Sequence, residues 1–592
     1  MLTAMRRLLL LALLVLPSGC GGEETEPAAP QLPPTCEEHE LLLPDGSCIR
    51  PGVPPDGCGE GFVHDGTYGY EPILPAEPCP PGLMAVPGDE SCRSVMECGE
   101  GKWGDLPVDA TTQYVDGSYG GGDGDGSEAQ PWPTIGQAVA AAAPGALIAV
   151  GAGTYNENVL IDGKPVRLWG RCPEQVAIAA PAEAVGPCPP TALCILGGAD
   201  GTEVGGLALR GAGVGILLAG SEHVLADRIR VHDNAGRGIT AESTFHSTSI
   251  EVRGSLIEHN HDFGLFVMGA DAIVDASVVR ATLPRASDQR GGRGISIQLP
   301  CSSTSTGLQC DATARGNASV TRSLIEQNHE AGLLVFGSNV IVDGTVVRAT
   351  LPSVSDQRGG RGINIQPSCL PTPTGLECDS AARGSASVSR SLIEQNYDVG
   401  LLVTGSDANV DATVVRTTLP RASDQLHGRG INVQSLCVHT PTGLQCDAAA
   451  RASANVTRSL IEHNHEFGLL VASSDANVDA TVVRATLSNA SYNLFGDGLS
   501  VLNKTAPGSA TLTNLLIADS ARAGLATFGS FVSLADTHIR CAAFPLNGEP
   551  FEGSDFELDD RGGNSCGCPT ADDTCKLISA GLQPPDPLAT NE

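Results

Sequence analysis

Ser255-Leu-Ile-Glu-His-Asn-His-Asp-Phe-Gly-Leu-Phe-Val267 returns as Ser323-Leu-Ile-Glu-Gln-Asn-His-Glu-Ala-Gly-Leu-Leu-Val335, as Ser391-Leu-Ile-Glu-Gln-Asn-Tyr-Asp-Val-Gly-Leu-Leu-Val403 and as Ser459-Leu-Ile-Glu-His-Asn-His-Glu-Phe-Gly-Leu-Leu-Val471. The starts at 255, 323, 391 and 459 are 68 residues apart, and a fixed period of this kind marks a repeat architecture. A finer period lies inside it. Ala318-Ser-Val-Thr-Arg-Ser-Leu-Ile-Glu-Gln-Asn328 aligns with Val340-Ile-Val-Asp-Gly-Thr-Val-Val-Arg-Ala-Thr350 at an offset of 22, so two coils make one repeat.

The segments alternate polar and aliphatic residues, are rich in Val, Ile and Thr, and are bounded by Gly and Asn, which specifies short strands joined by turns. A coil of 22 residues has too little chain to bury its own aliphatic face, so neighbours must stack into a continuous core. The chain therefore resembles the right-handed parallel β-helix proteins of the pectate-lyase-like superfamily. The expected fold is all-β, a solenoid of about a dozen coils. Sliding by whole coils aligns Glu258, Arg280, Glu326, Arg348, Glu394, Arg416, Glu462 and Arg484 in one column. With rungs about 4.8 Å apart, this reads as an alternating acid–base ladder on the outer surface. A second column holds Gly264, Gly294, Gly332, Gly362, Gly400, Gly430, Gly468 and Gly498, a corner that excludes a side chain or needs positive φ. A third holds Asn234, Asn260, Asn328, Asn396 and Asn464, suited to a tight turn of stacked asparagines.

The 592 residues carry a net charge of −33, which excludes nucleic acid as a partner, since phosphates demand Lys/Arg patches. Twenty cysteines point to an oxidising compartment. Residues 1–19 read as a secretory signal, with Arg6 and Arg7 before the apolar run 8–16. Its end resembles a bacterial lipoprotein box, which implies lipid attachment at Cys20, a membrane contact through that anchor alone, and an outer-membrane or cell-surface location. Residues 20–35 form a Pro/Glu-rich tether.

Residues 36–110 are Cys-rich. Cys36, Cys48, Cys58, Cys79, Cys92 and Cys98 contain no CxxC knuckle, so disulfides are expected over zinc, in any of fifteen pairings. Residues 111–540 are assigned to the β-helix. Their entrance, with an Asp/Gly loop, Pro131-Trp-Pro-Thr-Ile135, an Ala-rich helix 135–143, Pro144-Gly145, a strand and Gly153-Thr-Tyr-Asn-Glu157, resembles the entrance of that superfamily. Asp116, Asp123 and Asp125 are candidate calcium ligands, although no Glu follows at the EF-hand spacing. Cys172, Cys188 and Cys194 leave one thiol over among themselves.

Two insertions interrupt the second coil of each repeat. The first is 285–294 (RASDQRGGRG), 353–362 (SVSDQRGGRG) and 421–430 (RASDQLHGRG). The second carries Cys301/Cys310, Cys369/Cys378 and Cys437/Cys446, one expected local disulfide per repeat. The tips are expected to project from one flank, roughly 10 Å apart, and loops on a rigid scaffold are where function resides. Asp288, Arg290 and Arg293, with Asp356, Arg358 and Arg361, are the catalytic candidates, against a reading as ion-paired loop ends. His259, His261, His329, His463 and His465, near Asp262, Glu330 and Glu466, are candidate metal or glycan contacts, against a reading as solvated turns. Residues 541–592, with Cys541, Cys566, Cys568 and Cys575, are expected to cap the last rung.

The leading functional reading is a non-catalytic surface lipoprotein that binds a polysaccharide or another cell-surface component through its repeated loops. A carbohydrate-active enzyme, a calcium-assisted polysaccharide lyase or an epimerase, is the alternative, and a structural spacer the third.

Overall fold

The computed structural model describes residues 36–589 apart from 44, 185, 244–245, 305–306, 373–374, 441–442 and 572, so the signal, Cys20 and the tether lie outside the described residues. From Gln113 onward the chain winds through three long sheets, of 16, 16 and 15 strands, whose rungs pair in parallel. In the first repeat Leu256–Glu258 lies in the second sheet, Phe263–Met268 in the third and Asp271–Asp275 in the first. The next coil follows as Val278–Arg280, Arg293–Gln298 and Asn317–Thr321. This is a right-handed parallel β-helix. It has more rungs than the expected dozen, because the coils before Ser255 and after Leu487 keep the geometry without the sequence period.

Alternation along each strand turns Ile257, Leu265, Val267 and Val274 inward, where they stack on Val279, Ile295, Ile297 and Val320 in one continuous core. Polar ladders run through the same interior. Asn396 Nδ2 donates to Val347 O (3.0 Å) and its Oδ1 accepts from Thr350 N (3.1 Å), and Asn328 and Asn464 make the same pair of bonds to their neighbours. These asparagines are buried and satisfy turn backbone that would otherwise lack partners. A hydroxyl ladder that sequence columns did not reveal does the same at the corner between the first and second sheets. Ser255 N donates to Ser277 Oγ, Ser277 N to Ser323 Oγ, and Ser323 N to Thr345 Oγ1. The glycine column exists for lack of room. A Cβ on Gly264 would stand 2.6 Å from Val279 Cγ1 and 2.8 Å from Gly294 O.

Thr134 caps the helix Ile135–Ala141, which lays Ile135, Ala138 and Val139 over the first rung. Its free N–H groups at Ile135 and Gly136 are held by the Glu157 carboxylate, and Lys164 takes the carbonyls of Ala140 and Ala142 at the other end. At the far end the antiparallel strand Asp573–Thr574 and the disulfides Cys541–Cys568 and Cys566–Cys575 close the last coil.

The Cys-rich region is a strap bound along the outside of the second sheet. Gly52 N donates to Ala480 O; Tyr70 OH, fully buried, reaches Ser391 O (2.7 Å) and Ala412 O (3.1 Å); Arg280 donates to the carbonyls of Cys79, Pro80 and Leu83. The strap thus travels from late coils to early ones, and the Cys98–Cys172 disulfide fixes it there before the chain enters the first rung. Val53, Phe62, Tyr68, Tyr70, Met84 and Val86 bury the outward apolar column that includes Leu256, Val278, Leu324, Val346, Leu392 and Val414.

Two expectations change accordingly. The Glu/Arg column is in register as read, Glu258 opposite Arg280 and Glu326 opposite Arg348, but it lies under the strap. Glu258 is wholly buried and bonded to Arg280 (2.6 Å) and Arg230 (2.7 Å). Burial pushes its carboxyl up, yet the two guanidiniums outweigh this and hold it below the usual range. And the six cysteines of residues 36–110 do not pair only among themselves: Cys36–Cys48 and Cys79–Cys92 close locally, but Cys98 joins Cys172, the thiol left over when Cys188 joins Cys194. Cys58, half-buried within the strap, is the one free thiol among the described residues.

Candidate functional site

The two insertions leave the solenoid at different corners. Residues 281–292, 349–360 and 417–428 join the second sheet to the third, and residues 299–316, 367–384 and 435–452 join the third to the first. Each row stays on its own edge, so the rows face each other across the outer surface of the third sheet and make an elongated trough rather than a single projecting flank. The second insertions are antiparallel hairpins closed by Cys301–Cys310, Cys369–Cys378 and Cys437–Cys446, and they stand in file, with Arg315 Nη1 on Arg383 O and Arg383 Nη1 on Arg451 O.

The floor alternates by coil. Apolar rungs present Phe263 and Phe266, Leu334 and Phe336, or Val399 and Leu402; polar rungs between them present Arg361, Asn364 and Gln366, or Arg429, Asn432 and Gln434. The arginines are seated by the acids that follow each turn. Arg293 bonds Glu330, Arg361 bonds Asp398 at 3.0 Å, and Arg429 bonds Glu466 at 3.1 Å. Asp398 also takes His427 Nδ1 at 2.7 Å. Burial pushes the Asp398 carboxyl up, but the His427 hydrogen bond and the Arg361 charge outweigh it and hold the group well below the usual carboxylate range.

This geometry disperses the catalytic candidates. Asp288 pairs with Arg285 and accepts from Arg290 N, within its own loop, whereas Arg293 turns to Glu330 of the next coil. Asp356 accepts from Arg358 N, while Arg361 is taken by Asp398. None of these pairs leaves an acid and a base facing a common reacting atom, which general acid–base chemistry needs. In the third loop, His427 fills the place of Gly291 and adds its imidazole to the Asp398 seat.

The histidines also separate. His259 and Asp262 have positive φ (54° and 66°), so the strand rule that puts i and i+2 on one side fails across this turn. His261 Nδ1 meets Pro284 O, His329 Nδ1 meets Thr282 O and His465 Nδ1 meets Thr418 O, which makes them turn ties. Nor do the three aspartates of the entrance loop converge. Asp116 pairs with Lys102 and Ser118, Asp123 with Tyr119 and Gln130, and Asp125 with Ser127. Among the described residues, the groups spaced to share a metal are Cys36/Glu40/Cys48 and Cys98/Cys172/Glu174, and in both the sulfurs are committed to disulfides.

Sequence reasoning missed the occupant of the trough. After closing the last coil, residues 579–589 run back over the third sheet. Glu549 accepts from Gly581 N and Leu582 N, Arg522 Nη1 donates to Gln583 O, and Arg429 Nη2 donates to Asp586 O (2.9 Å). Gln434 grips Leu588 on both sides, Nε2 to its carbonyl (2.6 Å) and Oε1 from its N–H (2.9 Å). The Leu588 side chain packs on Val399 and Leu402.

No family model and no curated protein matches the chain. Among solved structures it is similar to pectate lyase Pel9A, at 11% identity over 79% of this chain and 82% of that one, with a TM-score of 0.31. It is also similar to the periplasmic alginate epimerase AlgG (9% identity, 72% and 78% covered, TM-score 0.33). A third is the catalytic unit of a GH87 α-1,3-glucanase from Streptomyces thermodiastaticus strain HF3-3 (13%, 76% and 68%, 0.33). These similarities do not bear on the chemistry of the trough.

Proposed function

We propose that this protein is a non-catalytic, lipid-anchored surface protein whose β-helix presents the repeated loops along the rims of the trough to an elongated partner, a polysaccharide of the cell surface. The observation that carries the reading is the threefold recurrence, in register, of the same pair of insertions along one face. Recurrence offers multivalent contact with a repeating polymer, whereas an enzyme needs one site. The polysaccharide-lyase and epimerase alternative is disfavoured by the dispersal of Asp288, Arg293, Asp356 and Arg361 among separate ion pairs.

Screening residues 36–592 against uronate-containing polysaccharides for both binding and cleavage tests it. Saturable binding without new ultraviolet-absorbing unsaturated ends is expected. Cleavage products that vanish on chelation would reverse the reading toward a lyase, and an absence of binding across the panel would remove the sugar. The anchor has its own check. Metabolic labelling with a fatty-acid analogue is expected to mark the full chain, and Cys20→Ser to lose the label and leave the membrane fraction; equal labelling of the variant would refute attachment at Cys20.

A further inference from the structure

The contacts of residues 579–589 show what the trough floor recognises. Gln434 makes a matched donor–acceptor pair with the two sides of one residue, as a neighbouring strand would. Arg429, only 2% exposed and among the largest fully buried side chains, spends a guanidinium N–H on the carbonyl of Asp586. Carbonyl and N–H in this alternation belong to a polypeptide; a sugar ring offers hydroxyls and ether oxygens instead. The segment itself, Leu582-Gln-Pro-Pro-Asp-Pro-Leu-Ala589, suits the groove. Pro585, Pro587, Leu588 and Ala589 are buried while Gln583 and Asp586 are exposed. Its prolines bring no N–H that burial would leave unpaired and hold the chain extended in advance, which lowers the entropy lost on docking. The single N–H that the groove accepts at this end is that of Leu588, a residue that has one.

The reading set is larger than this segment uses. One repeat upstream, Arg361, Asn364 and Gln366 occupy the positions of Arg429, Asn432 and Gln434, with Leu334 where Leu402 stands. Arg361 Nη2 and Asn364 Oδ1 are buried there without a hydrogen-bond partner among the described residues. Buried polar atoms of this kind call for a partner from outside the described chain, a water or a ligand group.

We infer that the trough floor is a docking groove for an extended, proline-rich polypeptide segment of a partner protein, with an apolar residue seated between Val399 and Leu402, and that the chain's own C-terminal segment is its resident ligand. The resident competes at the high effective concentration of a tethered ligand, so a partner must displace it or engage the upstream repeat. This goes beyond the polysaccharide reading, which concerns the rim loops.

A fluorescent peptide copying residues 581–592 tests the groove by anisotropy. The chain truncated after Ala580 is expected to bind it saturably, the intact chain at least tenfold more weakly, and truncated chain carrying Gln434→Ala at least tenfold more weakly than its parent. Should truncation impair folding, intact chain with Leu588→Asp is the second form. Its segment is expected to become sensitive to protease and the peptide to bind it more tightly than wild type. No binding to either opened form, or binding that Gln434→Ala leaves unchanged, overturns the inference. If the opened forms ignore the peptide and instead gain affinity for a uronate polysaccharide, the floor is a sugar site and the segment its cover. Loss of sugar binding alone bears on the proposed function and leaves the groove untouched.

Discussion

Asp398→Ala is expected to lower stability by about 3–5 kcal/mol, the cost of leaving a buried charge without its partner. The carboxylate lies wholly buried between Arg361 and His427, and its removal leaves Arg361, 3% exposed, uncompensated inside the trough floor. The effect should depend on pH in a defined sense. A carboxyl whose folded pKa is depressed contributes stability that is fully present above its unfolded value, about 3.9, and is lost as pH falls through the folded one. The gap between wild type and variant should therefore persist from neutrality down to about pH 4 and narrow below it. Urea titrations of both proteins at neutral and acid pH measure this. A gap under about 1 kcal/mol at neutrality, the range of an exposed pair, would show that the Asp398 seat is solvated.

Removing the strap should have the other large effect. A chain beginning at residue 100, with Cys172→Ser to avoid a stranded thiol, uncovers an apolar stripe that runs through Leu256, Val278, Leu324, Val346, Leu392, Val414 and Leu460, together with the Glu/Arg column beside it. Each of these aliphatic side chains contributes on the order of 1.5 kcal/mol or more when buried, and a continuous exposed stripe of this length drives association. Sedimentation velocity is expected to show large aggregates in place of a monodisperse species. A soluble variant with an unchanged unfolding midpoint would mean that the strap is an accessory to a self-sufficient solenoid. Tyr70→Phe gives a milder version, since it deletes only the hydroxyl that joins the strap to Ser391 and Ala412.

The fold was legible because the 68-residue period, the 22-residue offset and the strand alternation all state one geometry, and stacked coils make columns out of sequence offsets. The exposure of those columns was not. Leu256-Ile257 and Val278-Val279 are adjacent aliphatics in strands whose neighbours alternate, and such a pair signals burial on both faces. That signal was present and pointed to a cover, but which segment supplies it depends on contacts hundreds of residues apart, such as Tyr70 with Ser391. The insertions were found by comparing repeats, whereas the trough required knowing that one row leaves before the third sheet and the other after it. His259 and Asp262 misled because left-handed turn conformations at non-glycine residues break the strand rule and leave no compositional trace. The C-terminal segment read as a lid on the last rung. Its Pro-Pro-Asp-Pro-Leu stretch carries no periodicity, so only packing could place it against Val399 and Leu402.

The strap also limits how this protein can grow. Tandem units as similar as these invite gain or loss of whole copies by unequal exchange between them, and a bare solenoid would tolerate either, since any coil can stack on any other. Here one length of chain is fastened at Ala480 and at Cys172, alongside eleven successive strands of the second sheet from Val176–Ala180 to Val482–Arg484. One more unit would add two rungs, about 10 Å, to a span the strap already bridges end to end. One fewer would leave it slack over a sheet too short to hold it. The strap acts as a gauge, so copy number and the length of residues 50–99 can change only together.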